Sequence, residues 1–75
     1  MVLTELKTNR WAKILTINLP WETRKCLMEI GILPKTEVKL ICKNPFANVL
    51  LIQMGESHIA LSEKLAKNIK IQEKK

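Results

Sequence analysis

The chain has 75 residues, 47% of them hydrophobic, and a net charge of +6. That length holds one domain over 1–75 with a core large enough for marginal stability only, and the apolar fraction excludes a disordered chain. The positive charge fits an acidic partner, such as nucleic acid or an anionic membrane surface, or else a solvated lysine coat that keeps a small domain soluble.

The N-terminal residues Met1 to Lys7 contain no apolar run of signal-peptide length. Leu3 and Leu6 are spaced to form one turn against a core, and Thr8, Asn9 and Arg10 read as a turn. Trp11 to Asn18 is predicted as the first strand, with Lys13 pointing outward. Leu19-Pro20-Trp21-Glu22 opens a helix, because proline at the first helical position gives up only an N–H that would be unpaired there. The helix is predicted from Pro20 to Ile30. Thr23, Cys26, Leu27 and Ile30 fall at i, i+3, i+4 and i+7 and form its apolar stripe. That spacing puts Leu27 and Ile30 in the core, on residues such as Val38, Leu40 and Ile59. Gly31 follows the stripe where a helix exit wants a left-handed residue, so a positive φ is expected. Pro34 then blocks continuation.

Thr36 to Cys42 alternates as a strand, with Val38, Leu40 and Cys42 facing one way and Glu37, Lys39 and Ile41 the other. Lys43 to Asn48 is a loop. Val49 to Met54 is apolar at nearly every position, as in a strand covered on both faces. Gly55-Glu56 has the form of a type II′ hairpin loop, which would pair Ile52 with Ile59, Leu50 with Leu61 and Gln53 with His58. Ser62 is placed to cap a helical turn or two, Ile69 to Ile71 reads as a last strand, and Glu73 to Lys75 as a frayed tail. The order is β-α-β-β-β-α-β. The expected fold is mainly β: a small barrel with one α-helix after the first strand and a short helical turn before the last.

Chemistry is sparse. His58 is the only histidine, there is no aspartate, and the glutamates stand singly, so no acid–base pair, hard-cation cage or nucleophile with its base is visible. The two glycines leave no phosphate-binding loop. Cys26 and Cys42 read as buried free thiols; with His58 they would form a soft metal site only if the fold gathered them. No catalysis, cofactor or metal site is expected. Trp11, Trp21 and Phe46 do not share a strand face, so the stacking platform of an RNA-binding sheet is missing. Trp21 and Phe46 fit either exposed interface anchors or partial core burial. The longest strongly apolar run, Val49 to Ile52, cannot span a bilayer, so a cytoplasmic protein without membrane insertion is expected.

The run Arg24-x-x-Leu27-x-x-Ile30-Gly31-Ile32-x-Pro34-x-Thr36-x-Val38 resembles the R-x-x-L-x-x-L-G-L-x-P-G-T-x-V stretch of the FeoA family, small accessory proteins of bacterial ferrous iron transport. Asn44-Pro45, Gly55, His58-Ile59-Ala60-Leu61, Ala66-x-x-Ile69-x-Ile71 and Leu3-Thr4-Glu5-Leu6 extend the resemblance over nearly the whole chain. Lys35 departs from it, standing where the family often has glycine after the proline, and Ser62 replaces the usual arginine. The resemblance implies an SH3-like barrel in which Leu27, Ile30, Gly31, Pro34 and Gly55 are structural. It also implies a non-catalytic role beside an FeoB-like membrane GTPase permease; the family is often described as transition-metal binding. Trp21, Arg24 and Lys25 at the rim of the helix are the expected partner-binding residues. A small basic nucleic-acid-binding barrel and a transition-metal sensor or carrier are the competing readings, nucleic acid being disfavoured by the aromatic distribution. Weak self-association stays open.

Overall fold

The computed structural model describes residues 1–74. A 3-10 turn over Leu3–Glu5 leads into β1 (Trp11–Ile17), α1 (Trp21–Glu29), β2 (Glu37–Asn44), β3 (Val49–Met54), β4 (Ser57–Ser62), α2 (Glu63–Ala66) and β5 (Ile69–Glu73). The order matches the predicted one. The strands form one antiparallel sheet, β4-β3-β2-β1-β5. The register shifts at Leu15 in β1 and at Ile41 in β2, and such bulges bend and twist a sheet. The curled sheet is a small, partly open barrel. Its edges β4 and β5 are not paired; α2 touches β3, β4 and the N-terminal turn at that seam.

The hairpin forms in the predicted register, with Ile52 opposite Ile59, Leu50 opposite Leu61 and Gln53 opposite His58. Gly55 has φ +57 and Glu56 is not among the positive-φ residues, as a type II′ loop requires. Ser62 caps α2, its Oγ accepting the Leu65 N–H at 3.1 Å. Leu3 and Leu6 are fully buried, and the turn at Asn9 has φ +67.

Several expectations need correction. Pro20 is the N-cap residue of α1 rather than its first helical residue; its carbonyl accepts the Arg24 N–H at 2.9 Å. Ile30 is 50% exposed, whereas Leu27 is 4% exposed and is the one fully buried residue of α1. The helix stops at Glu29, and the chain leaves it through a Schellman turn. Gly31 N–H bonds to Met28 O at 3.0 Å and Ile32 N–H to Leu27 O at 2.8 Å, with Gly31 at φ +97. That exit turns Ile30 outward and drops Ile32 into the core, where it is buried. Cys26 and Cys42 are free, as expected, but exposed. Cys42 lies past the bulge at Ile41, so the alternation that buries Val38 and Leu40 has slipped by one residue. In β3, Leu50 and Ile52 are buried while Val49, Leu51 and Gln53 are half-covered, so this strand is sealed on one face only. The tail is not frayed over its described part: Glu73 belongs to β5, Lys74 N–H bonds to Trp11 O at 2.9 Å, and the Lys74 ammonium pairs with the Glu37 carboxylate. Lys75 lies outside the described residues.

The departure at Lys35 leaves the turn intact at a conformational cost. Thr36 N–H bonds to Leu33 O at 3.1 Å, Pro34 occupies the second turn position, and Lys35 in the third has φ +76. This is a type II turn with a lysine where glycine is preferred. Its N–H then bonds to Ile14 O at 2.6 Å, tying the turn to β1.

Three substitutions test this packing. Leu27→Ala should destabilise the domain by roughly 2–5 kcal/mol, because it empties the contact between α1 and the barrel. A variant melting like the parent would refute the assigned helix face. Lys35→Gly should stabilise by about 0.5–1 kcal/mol by relieving the left-handed lysine, raising the midpoint by several degrees. Gly31→Val should do the reverse by more than ~1 kcal/mol, from φ strain alone, since the nearest atom to an added Cβ is Met54 Cε at 3.7 Å. Thermal unfolding of both variants measures the pair, and equal midpoints would sink the argument.

Candidate functional site

The exit from α1 builds a cleft. Trp21, Arg24 and Met28 sit at i, i+3 and i+7, one face of the helix, and form one wall. The other wall is Ile17 at the end of β1 with Ile32, Leu33 and Pro34, which the Schellman turn swings back toward the helix. The cleft is shallow, with room for about 120 Å³. Trp21 is 56% exposed, and Met28 and Leu33 are exposed as well. The Arg24 guanidinium lies 5.7 Å from the Trp21 ring centroid, within cation–π range. Among the described residues Arg24 makes no ion pair, so its charge is available to a ligand.

Of the sequence-predicted partner residues, Trp21 and Arg24 are brought together and Lys25 is not. Lys25 is exposed on α1 but does not line the cleft. Pro34, expected to be structural, also lines it, and Met28, Leu33 and Ile17 were missed. Met28 could have been found from its spacing of seven from Trp21; Ile17 and Leu33 could not, since only the fold brings them there. Phe46 is 98% exposed in the β2–β3 turn, held out by Asn44 Oδ1, which accepts the N–H groups of Phe46 at 3.0 Å and Ala47 at 3.2 Å. Both aromatics therefore resolve toward exposure.

An apolar cleft with one guanidinium can recognise a surface; it holds no acid–base pair and no nucleophile. No polar or charged side chain is buried among the described residues, so none is held in a desolvated environment. His58 is exposed on β4. Cys26, Cys42 and His58 are not gathered, and the described residues hold no cluster of three metal-ligating side chains. Among the described residues no helix is long and apolar enough to cross a membrane.

The backbone is similar to that of iron(II) transport protein A from Clostridium thermocellum, with a TM-score of 0.89 at 22% identity over 97% of this chain and 45% of that one. It is similar to a crystal structure of the iron uptake regulatory protein FeoA, with a TM-score of 0.88 at 18% identity over 99% of this chain and 97% of that one. A manganese-dependent transcriptional repressor gives a TM-score of 0.90 at 13% identity over 99% of this chain and 36% of that one. The chain thus spans less than half of the Clostridium thermocellum protein and about a third of the repressor. At these identities the likeness establishes the fold, an SH3-like barrel. No curated protein matches the chain by sequence. The family model for the FeoA domain matches residues 1–73, almost the whole chain, and the chain belongs to the FeoA domain family.

Proposed function

We propose that this domain is a non-catalytic, cytoplasmic accessory protein of ferrous iron transport that acts by binding an FeoB-like membrane GTPase permease. Membership of the FeoA domain family and the names of its structural neighbours, an iron(II) transport protein and an iron uptake regulator, support the transport context. The observation that carries the contact mechanism is the exposed Trp21–Arg24 pair over an apolar cleft, in a molecule with no buried ionisable group among its described residues. A domain without catalytic groups changes a partner only by binding its states unequally. Trp21 supplies an exposed aromatic anchor whose few side-chain torsions make its ordering on docking inexpensive. Arg24 supplies charge-assisted bonds to a carboxylate on the partner, and Lys25 on the same helix adds long-range attraction.

The nucleic-acid reading draws on the net charge of +6 and on Lys39, whose ammonium lies 6.0 Å from the Trp11 ring centroid. Among the described residues Trp11 is the only aromatic in a strand, so no row of base-stacking platforms accompanies that charge on the sheet. A salt titration with DNA or RNA separates the readings, since phosphate binding weakens steeply with salt.

Capture of the transporter's soluble domain should succeed with the parent protein. It should weaken at least tenfold with a folded Trp21→Ala/Arg24→Glu variant, with Trp21→Ala acting mainly on the off-rate. Equal capture would reject this surface, and no binding to the full-length transporter would reject the partner. Purified protein should turn over no GTP and retain no stoichiometric iron or zinc through dialysis; either activity would overturn the non-catalytic, metal-free reading.

A further inference from the structure

β4 is a sheet edge without charged residues. The sheet order leaves β4 and β5 at its two ends. An exposed edge is a template for another strand, and soluble proteins blunt it with charge, proline, short length or a covering segment. β5 is blunted. It contains Lys70 and Glu73, Val2 bridges to Lys70, and Met1 O accepts the Ile71 N–H at 2.9 Å. β4 carries no such residue, and although α2 lies against it at the seam, no segment bonds to its outer backbone among the described residues. Its sequence, Ser57-His58-Ile59-Ala60-Leu61-Ser62, holds no lysine, arginine, carboxylate or proline. β1, β2 and β5 each contain charged residues; β3 and β4 contain none, and β3 is interior, where no guard is needed.

The free groups on this edge can be identified. The two-residue loop makes Met54 and Ser57 a hydrogen-bonded pair, and bonded pairs alternate from there. Ser57, Ile59 and Leu61 therefore direct their backbone groups to β3, while the N–H and C=O of His58 and Ala60 point away from the sheet. Neither residue's backbone groups have a partner outside the sheet among the described residues, and both residues are exposed.

We propose that β4 pairs antiparallel with β4 of a second copy of this chain, about a two-fold axis at Ala60, making one continuous sheet from two barrels. This surface is separate from the cleft beside α1, which no β4 residue lines. An axis at Ala60 sets Ala60 against Ala60 of the second copy, and His58 against Ser62. Ile59, half-buried in the isolated domain, then meets Leu61 on the core-facing side. Even residues stay on the outer face and odd residues on the inner face, so the pleat is continuous. Charge selects where two copies can meet. Two chains of net charge +6 repel, and the edge without lysine is where their backbones can meet without opposing cations. Glu56 precedes the strand and Lys64 follows it, so antiparallel pairing brings each Glu56 to the end where Lys64 of the other copy lies. The central contact is small, so the dimer is weak and concentration-dependent.

Sedimentation of the full chain across a micromolar-to-millimolar series tests this. The parent should pass from monomer to dimer. Ala60→Lys opposes two lysines at the axis and should raise the dimer dissociation constant by about tenfold or more, with an unchanged melting point. An equal mixture of Ala60→Lys and Ala60→Glu should dimerise again. Independently of any variant, the amides of His58 and Ala60 should exchange fast in dilute solution and slow at high concentration. A parent monomeric at millimolar concentration would overturn the proposal, as would a dimer indifferent to Ala60→Lys or exchange of those two amides indifferent to concentration.

Discussion

The structure depends on how the chain leaves α1. A nine-residue helix with one buried side chain has no stability of its own, and its place is fixed by its exit. Gly31 takes the left-handed conformation, which lets Ile32 N–H reach the Leu27 carbonyl and turns the Ile32 side chain into the core. The type II turn that follows hands its Lys35 N–H to Ile14 O, and Ile14 N–H bonds to Thr36 O at 2.8 Å. These bonds start the β1–β2 pairing that continues as Lys13 with Glu37, Ala12 with Val38 and Trp11 with Lys39. Two consecutive turns thus join the helix to the middle of the sheet. They also place Leu33 and Pro34 opposite Trp21 and Met28, so the candidate surface and the core share one support.

The barrel draws its cohesion from strand residues. Ile14, Val38, Leu40, Ile52 and Ile69 are fully buried, one or more from each of the strands β1, β2, β3 and β5. Bulges at Leu15 and Ile41 let a single sheet enclose them, at the expense of strict alternation. Closure at the seam rests on side chains and on α2 rather than on a ladder, which leaves the β4 backbone unmatched.

Local signals were legible wherever a residue's conformation is dictated by its immediate neighbours. The hairpin register at Gly55-Glu56, the Ser62 cap and the left-handed Gly31 are of this kind, and each depends on only a few residues. Ile30 was misplaced because helical periodicity assumes the helix continues, and the Schellman exit ends it one residue earlier. Cys42 was misplaced because a bulge leaves no mark in an apolar run; Ile41 and Cys42 look like any alternating pair until the partner strand sets the register. Lys74 joins the fold through Trp11 and Glu37, far away in sequence, so nothing local announced it. The site divides in the same way. Trp21 and Arg24 are three apart on one helix and could be paired from sequence, whereas the wall from Ile17 and Leu33 exists only after folding.

Lys35 shows how the two levels meet. A lysine at φ +76 gives up stability that a glycine there would keep, on the order of 1 kcal/mol. Strain of this kind collects where a surface has work to do, and the strained residue directly follows Pro34, a wall of the cleft. On the proposed reading its charge joins that of Arg24 beside an otherwise apolar recess, while Lys25 stays outside the cleft lining. An acidic segment docking there would meet Arg24 beside Trp21, the apolar anchor, and the turn that carries Lys35 directly after Pro34. The residue that departs from the family pattern would then tune attraction to the partner while leaving the turn, and with it the fold, in place.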